Sequence, residues 1–225
     1  QPDLNFWIKD VRSAILDVAE FWLRRGVDGF RLDVANFYYC DRLLRDNPAK
    51  RASGGFQRPY QFQRHIYDRS QPETLLFIED LRRLLDRYGA MSVAEIVSDH
   101  PIERSREYSA PGRLHTAYNF HFLESRALTP ALVRSAFDGW ADDGAWPSWS
   151  FSNHDVVRAP TRFGGGAMGE AHARMLLGLL LSLRGTIFLY QGEELGLPQA
   201  DVPFEKLKDP EGIRFWPDSL GRDGC

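Results

Sequence analysis

The sequence contains little cysteine, no excess of basic charge and no long apolar run. Its two cysteines, Cys40 and Cys225, lie far apart without zinc or redox spacing, which excludes a disulfide framework. The formal net charge is -3 and no basic block stands out, which argues against nucleic acid as a partner. No apolar run approaches the roughly 20 residues of a membrane helix, so we expect no membrane partner. What remains is an ordinary globular composition, with 43% hydrophobic and 26% charged residues.

The first residues, QPDLN, include neither an initiator Met nor a signal peptide. We expect a cytoplasmic protein, an expectation that a chain without a Met start does not test. Aromatic residues make up 13% of the chain, a content that suits the stacking of sugars and equally suits a large core.

Apolar residues recur with two different periods along the chain. Steps of three and four predict amphipathic helices, with start and stop signals such as Pro72 and Gly26, over residues 6–25, 72–88, 129–140 and 170–183. Short apolar runs predict five strands, at residues 27–34, 91–97, 116–122, 149–152 and 186–190. This alternation predicts an α/β domain with a parallel sheet and right-handed crossovers.

Three acidic residues stand at or near the ends of three predicted strands: Asp33, Glu95 and Asp155. In a parallel barrel such strand ends converge on one face and build the active site. The Rossmann glycine fingerprint is absent. We therefore predict a (β/α)8 TIM barrel rather than an open sheet. Because five strands do not close a barrel of eight, residues 1–225 are predicted to form one part of it.

The surroundings of two acids favour opposite protonation states. Arg31 lies two residues before Asp33, so both side chains leave the same face of the strand, and the guanidinium favours the ionised carboxylate that a nucleophile requires. Apolar residues flank Glu95, and such flanks raise a carboxyl pKa, as a general acid requires. Retaining glycosidases use such a pair, about 5–5.5 Å apart. Residues 153–155, Asn-His-Asp, add hydrogen-bonding groups suited to sugar hydroxyls; a capped turn is the structural alternative.

The sequence resembles the α-amylase family of glycoside hydrolases (family 13). The residues 29–33 (GFRLD) resemble the family's nucleophile segment, 92–95 (SVAE) its acid/base strand, and 151–155 (FSNHD) the segment of its transition-state-stabilising aspartate. Residues 1–5 are similar to the motif that closes its inserted loop domain. Residues 212–217 and 221–225 resemble bacterial α-glucosidases and oligo-1,6-glucosidases after the eighth strand. The resemblance covers the whole chain in the family's order.

The resemblance implies retaining hydrolysis of terminal α-glucosidic bonds in short oligosaccharides or disaccharides, with transglucosylation as a side activity. It implies Asp33 as nucleophile, Glu95 as acid/base and Asp155 as the residue that holds sugar hydroxyls. Arg31 and His154 would contact Asp33 and the sugar. Val34, which follows the nucleophile, accompanies tolerance of α-1,6 bonds in this family. The family's calcium ligands belong largely to parts absent from this chain, so we predict no metal site, and no cofactor is implied.

Two alternatives remain open. A sucrose- or trehalose-converting transferase or isomerase of the same family would share these motifs. A transporter-associated barrel without catalysis would have lost one or more of the acids, whereas Asp33, Glu95 and Asp155 all stand here.

The resemblance also implies that the chain carries about strands four to eight of the barrel. The family's first three strands, its loop domain, the Asp and His of its third-strand motif and its C-terminal β-sandwich would lie outside residues 1–225. Two edges, at residues 27–34 and 186–190, would then lack a neighbouring strand. Open edges beside apolar side chains promote aggregation, so we expect the isolated chain to be neither stable nor active.

Overall fold

The computed structural model describes residues 3–51, 59–118, 120–140, 146–164 and 169–219. The expectations for residues 1–2, for residues 221–225 and for Cys225 fall outside the described residues. The strands form one sheet in the order β1-β2-β3-β4-β5, and every neighbouring pair is parallel. Their bounds are Gly29–Leu32 for β1, Met91–Glu95 for β2, Thr116–Tyr118 for β3, Ser148–Trp149 for β4 and Thr186–Ile187 for β5.

Helices alternate with the strands, which confirms the α/β prediction. Their bounds are Lys9–Leu23 for α1, Pro72–Tyr88 for α2, Pro101–Tyr108 for α3, Pro130–Asp138 for α4, Ala159–Gly164 for α5, Glu170–Ser182 for α6 and Pro210–Ser219 for α7. Short 3-10 turns occupy Ala35–Phe37, Pro59–Phe62 and Phe204–Lys206. The periodicity of the sequence predicted α1, α2, α4 and α6 and missed the others. At eight and six residues, α3 and α5 are too short to show a period of 3.6 clearly.

Helix ends follow local chemistry. Pro72 occupies the first turn of α2, where its missing N–H removes no hydrogen bond, and Gly89 ends the helix in the left-handed conformation at φ 61°. At the start of α4 the Thr129 hydroxyl accepts a hydrogen bond from the Leu132 N–H. These signals bring the chain back to the sheet after each helix.

The strands are shorter than the sequence predicted. The predicted strand at 91–97 ends at Glu95, because the N–H and carbonyl of Val97 bind the side chain of Asn36 instead of a neighbouring strand. Only two residues each of β4 and β5 pair in the sheet. The residues after these strands form loops, and those loops carry the polar side chains described below.

The core lies between the sheet and the helices. Trp149 on β4 is fully buried. The ring of Phe122 meets those of Trp149 and Phe151 edge to face, with centroid distances of 5.4 and 5.1 Å. A second cluster joins Ile78 of α2 to Ala94 and Ile96 around β2. These contacts fix the strands whose carboxyl ends form the site.

Candidate active site

The nucleophile candidate and the acid candidate lie on neighbouring strands. Asp33 directly follows β1, and Glu95 is the last residue of β2. Leu32 is paired with Ala94 in the parallel register, so the two acids emerge side by side at the same edge of the sheet. The convergence predicted from strand ends is therefore present for this pair.

Arg31 joins the two carboxylates. Its Nη1 donates to Asp33 Oδ1 at 2.6 Å, and its Nη2 donates to Glu95 Oε2 at 2.7 Å. The two acids differ in solvent exposure, since the side chain of Asp33 is 72% exposed and that of Glu95 only 8%. One guanidinium thus fixes a carboxylate open to solvent beside a carboxylate that is buried.

The two acids are driven toward opposite protonation states. The hydrogen bond from Arg31, followed by one from Glu95, lowers the pKa of Asp33. Burial first, and the hydrogen bond with Asp33 second, raise the pKa of Glu95 above its usual value. Both directions agree with the sequence-based expectation. A general acid beside a nucleophile requires shifts in these two directions.

Val34 has a backbone conformation that few residues of its type adopt. It lies in the left-handed region at φ 35° and ψ 50°, where a β-branched side chain is strained. This conformation directs its N–H toward Glu95 Oε2, at 3.4 Å. The family resemblance implies a substrate-binding role for Val34 in linkage preference, and the structure adds a main-chain contact with the acid candidate.

Asp155 and His154 lie in the turn after β4 and form an exposed rim. The Asn153 side chain accepts a hydrogen bond from the Asp155 N–H at 2.9 Å, which shapes the turn after β4. His154 Nε2 lies 3.5 Å from Asp155 Oδ1. His154 and Arg31 line the same cavity, so this rim lies near the residue that holds Asp33. Both side chains are more than half exposed and are open to a ligand.

A cavity of about 150 Å³ lies beside this turn. Arg31, Tyr118 and His154 are among the residues that line it. The sequence analysis did not single out Tyr118, although its register places it opposite Glu95 in the sheet. Burial raises the pKa of the Tyr118 phenol, which therefore stays neutral and available for hydrogen bonding. Strand pairing is the signal that identifies this residue, and the sequence alone does not supply it.

Asn36 and Ser70 are two further residues that the motifs did not identify. Both lie close to the strand ends that carry the acids, and the Asn36 side chain is fully buried.

Within the described ranges, no group of three or more His, Cys, Asp or Glu side chains is placed to hold a metal ion. No helix in the described part of the chain is long and apolar enough to cross a membrane.

A parallel α/β sheet with acids at the carboxyl ends of consecutive strands is the arrangement found in (β/α)8 barrels. This chain carries about strands four to eight of such a barrel. The family model described as alpha amylase, catalytic domain, matches residues 1–225. The chain belongs to the α-amylase family.

Named relatives agree with this assignment. A probable α-glucosidase of Rhizobium meliloti (strain 1021) is 46% identical over 238 residues, which cover 100% of this chain and 43% of the relative. An oligo-1,6-glucosidase of Heyndrickxia coagulans is 32% identical, over 94% of this chain and 40% of that protein. The crystal structure of an α-glucosyl transfer enzyme, XgtA, superposes with a TM-score of 0.92 at 52% identity, over 100% of this chain and 44% of its own. The chain thus spans less than half the length of these relatives.

Proposed function

We propose that the protein containing this chain hydrolyses terminal α-glucosidic bonds in short oligosaccharides or disaccharides with retention of configuration. The single observation that carries the proposal is the bridge from Arg31 to both carboxylates, at 2.6 Å to Asp33 and 2.7 Å to Glu95. The bridge holds the two carboxyl groups side by side and supports an ionised Asp33, and the burial of Glu95 supports a protonated acid beside it. Retention requires such a pair. We expect the two carboxyl groups to lie about 5–5.5 Å apart across the bound sugar.

In the first step Asp33 attacks the anomeric carbon. As the glycosidic bond breaks, Glu95 gives its proton to the leaving oxygen, and a covalent glucosyl-aspartate forms. Asp155 and His154, on the exposed rim, hold sugar hydroxyls while the ring flattens. Arg31 remains paired with the carboxylate oxygens that are not reacting, which keeps both acids oriented.

In the second step the ionised Glu95 takes a proton from water, whose oxygen attacks the anomeric carbon and releases Asp33. A sugar or alcohol hydroxyl that replaces water receives the glucosyl group instead, so transglucosylation uses the same residues. The similarity to an α-glucosyl transfer enzyme at 52% identity favours transfer as a substantial second outcome. The products of maltose, isomaltose and sucrose, followed by chromatography, separate hydrolysis from transfer and from conversion of sucrose or trehalose.

Three finer assignments belong to the proposal. Val34, next to the nucleophile, favours acceptance of α-1,6 bonds beside α-1,4 bonds. The rest of the protein would supply the first barrel strands, the third-strand Asp and His, the loop domain and the β-sandwich. We place this protein in the cytoplasm, with no cofactor. A barrel without catalysis is disfavoured because Asp33, Glu95 and Asp155 are all retained.

The experiment uses the full-length protein and two substrates. We expect Asp33→Asn to abolish turnover of both maltose and an aryl α-glucoside with a good leaving group, because the nucleophile is deleted. Glu95→Gln should lower kcat/KM for maltose by about 10²–10⁴-fold and spare the aryl glucoside, which needs little protonation. Equal losses of Glu95→Gln on both substrates would contradict the acid role.

A further inference from the structure

The carbonyl end of β2 is held by a side chain from the loop after β1. Asn36 Nδ2 donates to the Val97 carbonyl at 2.8 Å, and Asn36 Oδ1 accepts from the Val97 N–H at 3.3 Å. The asparagine amide therefore binds both main-chain groups of one residue, as a neighbouring strand would. Val97 lies two residues beyond Glu95, so this contact fixes the backbone that carries the acid.

The same side chain also closes the loop of residues 36–71. Asn36 Nδ2 donates to Ser70 Oγ at 2.9 Å, and the Ser70 N–H donates to the Asn36 carbonyl at 2.6 Å. Asn36 is completely buried, so these bonds form without competition from water. Asn36 consequently links three segments: the turn after the nucleophile, the residues after the acid, and the end of the loop.

Asn36 lies two residues after the strained Val34, whose carbonyl accepts the N–H of Phe37 at 2.9 Å. A strained β-branched residue keeps its conformation only where its surroundings determine it. The anchored Asn36 supplies that constraint, and the conformation it maintains directs the Val34 N–H to Glu95 Oε2. Asn36 thus acts on Glu95 by two routes, through Val97 after β2 and through Val34 after β1.

We propose that Asn36 is a positioning residue that sets the place of the Glu95 carboxyl relative to Asp33. The inference rests on the proposed function, because it assumes that Glu95 is the general acid. Asn36 touches neither Asp33 nor Glu95 and acts through the backbone at Val34 and Val97. The charged and titratable groups that face Glu95 are Arg31 and Asp33 from the β1 side and Tyr118 from β3, and Asn36 changes none of their charges.

The test is Asn36→Ala in the full-length enzyme, measured as kcat/KM on maltose and on an aryl α-glucoside with a good leaving group. A displaced acid should lower the maltose value by about 10–100-fold, since small misplacement of a reacting group has effects of that size. The aryl glucoside should lose less than about threefold. The ratio of the two values is independent of the folded fraction, so instability alone does not change it. If Asn36→Ala does not fold, Asn36→Ser, which fills more of the site, carries the same test.

Asn47 provides the matched control, because it is an asparagine of the same loop. Its amide also makes three hydrogen bonds, to Gln63 and from the N–H groups of Ile66 and Tyr67. Asn47→Ala loosens the loop without releasing Val97, and it should leave the ratio unchanged. A ratio that stays at the wild-type value in Asn36→Ala, or that moves equally in Asn47→Ala, would overturn the inference. Glu95→Gln distinguishes failure of the positioning inference from failure of the proposed acid role. If it changes the ratio and Asn36→Ala does not, positioning fails; if it does not change the ratio, the acid role itself fails.

Discussion

Arg31 offers the sharpest perturbation of the site, because one side chain is hydrogen-bonded to both acids. Replacing it by Gln in the full-length enzyme removes the hydrogen bonds to Asp33 and Glu95. Arg31 lowers the pKa of both carboxyls, so its loss should raise both values. In a retaining glycosidase the low-pH limb of kcat/KM follows ionisation of the nucleophile, and the high-pH limb follows loss of the acid's proton. Both limbs should therefore move to higher pH.

The size of each shift depends on exposure. A hydrogen bond to a charged group contributes about 1.5–3 kcal/mol when it is buried, and 1.36 kcal/mol corresponds to one pKa unit. The Glu95 side chain is 8% exposed, so the high-pH limb should make the larger move to higher pH. The Asp33 side chain is 72% exposed and screened by solvent, where such pairs contribute about 0.2–1 kcal/mol. The low-pH limb should accordingly make the smaller move.

The assay is the pH dependence of kcat/KM on an aryl α-glucoside, which reports the free enzyme. Arg174→Gln serves as the control, since Arg174 is 78% exposed on α6 and pairs only locally with Glu170. Its profile should match that of the wild type. Limbs of Arg31→Gln that stay in place, or that move to lower pH, would refute the reasoning about charge at this site.

Two further predictions concern stability. Gly29→Ala in the full-length enzyme should lower the free energy of unfolding by about 1–3 kcal/mol, because the added Cβ would lie 2.3 Å from the Met91 carbonyl oxygen. The control is Gly178→Ala on α6, where an added Cβ meets nothing within 4 Å. It should be neutral or stabilising in the same thermal melts. The 225-residue chain produced alone should self-associate, because β1 and β5 end the sheet and an apolar groove of about 410 Å³ beside β1 exposes Val18 and Trp22. A soluble monomer with a sharp melting transition and maltose turnover would contradict this expectation.

The sequence predicted those parts of the site that depend on local spacing. Arg31 and Asp33 are two residues apart on one strand, and the flanks of Glu95 are visible as an apolar run, so their faces and pKa directions followed from neighbours in the chain. The helix over residues 72–88 was likewise marked by Pro72 and Gly89 at its two ends. In each case the residues that determine the predicted feature lie within a few positions of it in the chain.

Other parts depend on pairing across the sheet. Asn36 meets Ser70 and Val97, which are 34 and 61 residues away, and Tyr118 stands opposite Glu95 only because β2 and β3 are in that register. The strand at 91–97 was predicted too long for the same reason, since Asn36 replaces a neighbouring strand at Val97. A local pattern contains no information on such partners.

The order of the sheet has a consequence for biosynthesis. Because β1 to β5 are neighbours in the order in which they occur in the chain, each strand leaving the ribosome finds the preceding one as its pairing edge. Within β1 to β5, each strand can pair with its predecessor before any later segment is synthesised. Arg31, Asp33 and Glu95 all lie on or directly after β1 and β2, so the acid pair can be assembled as soon as residue 97 is free to bind Asn36. Elongation of residues 98–225 takes about 6–25 s at 5–20 residues per second. During that interval the growing edge of the sheet is the surface that a chaperone would need to cover.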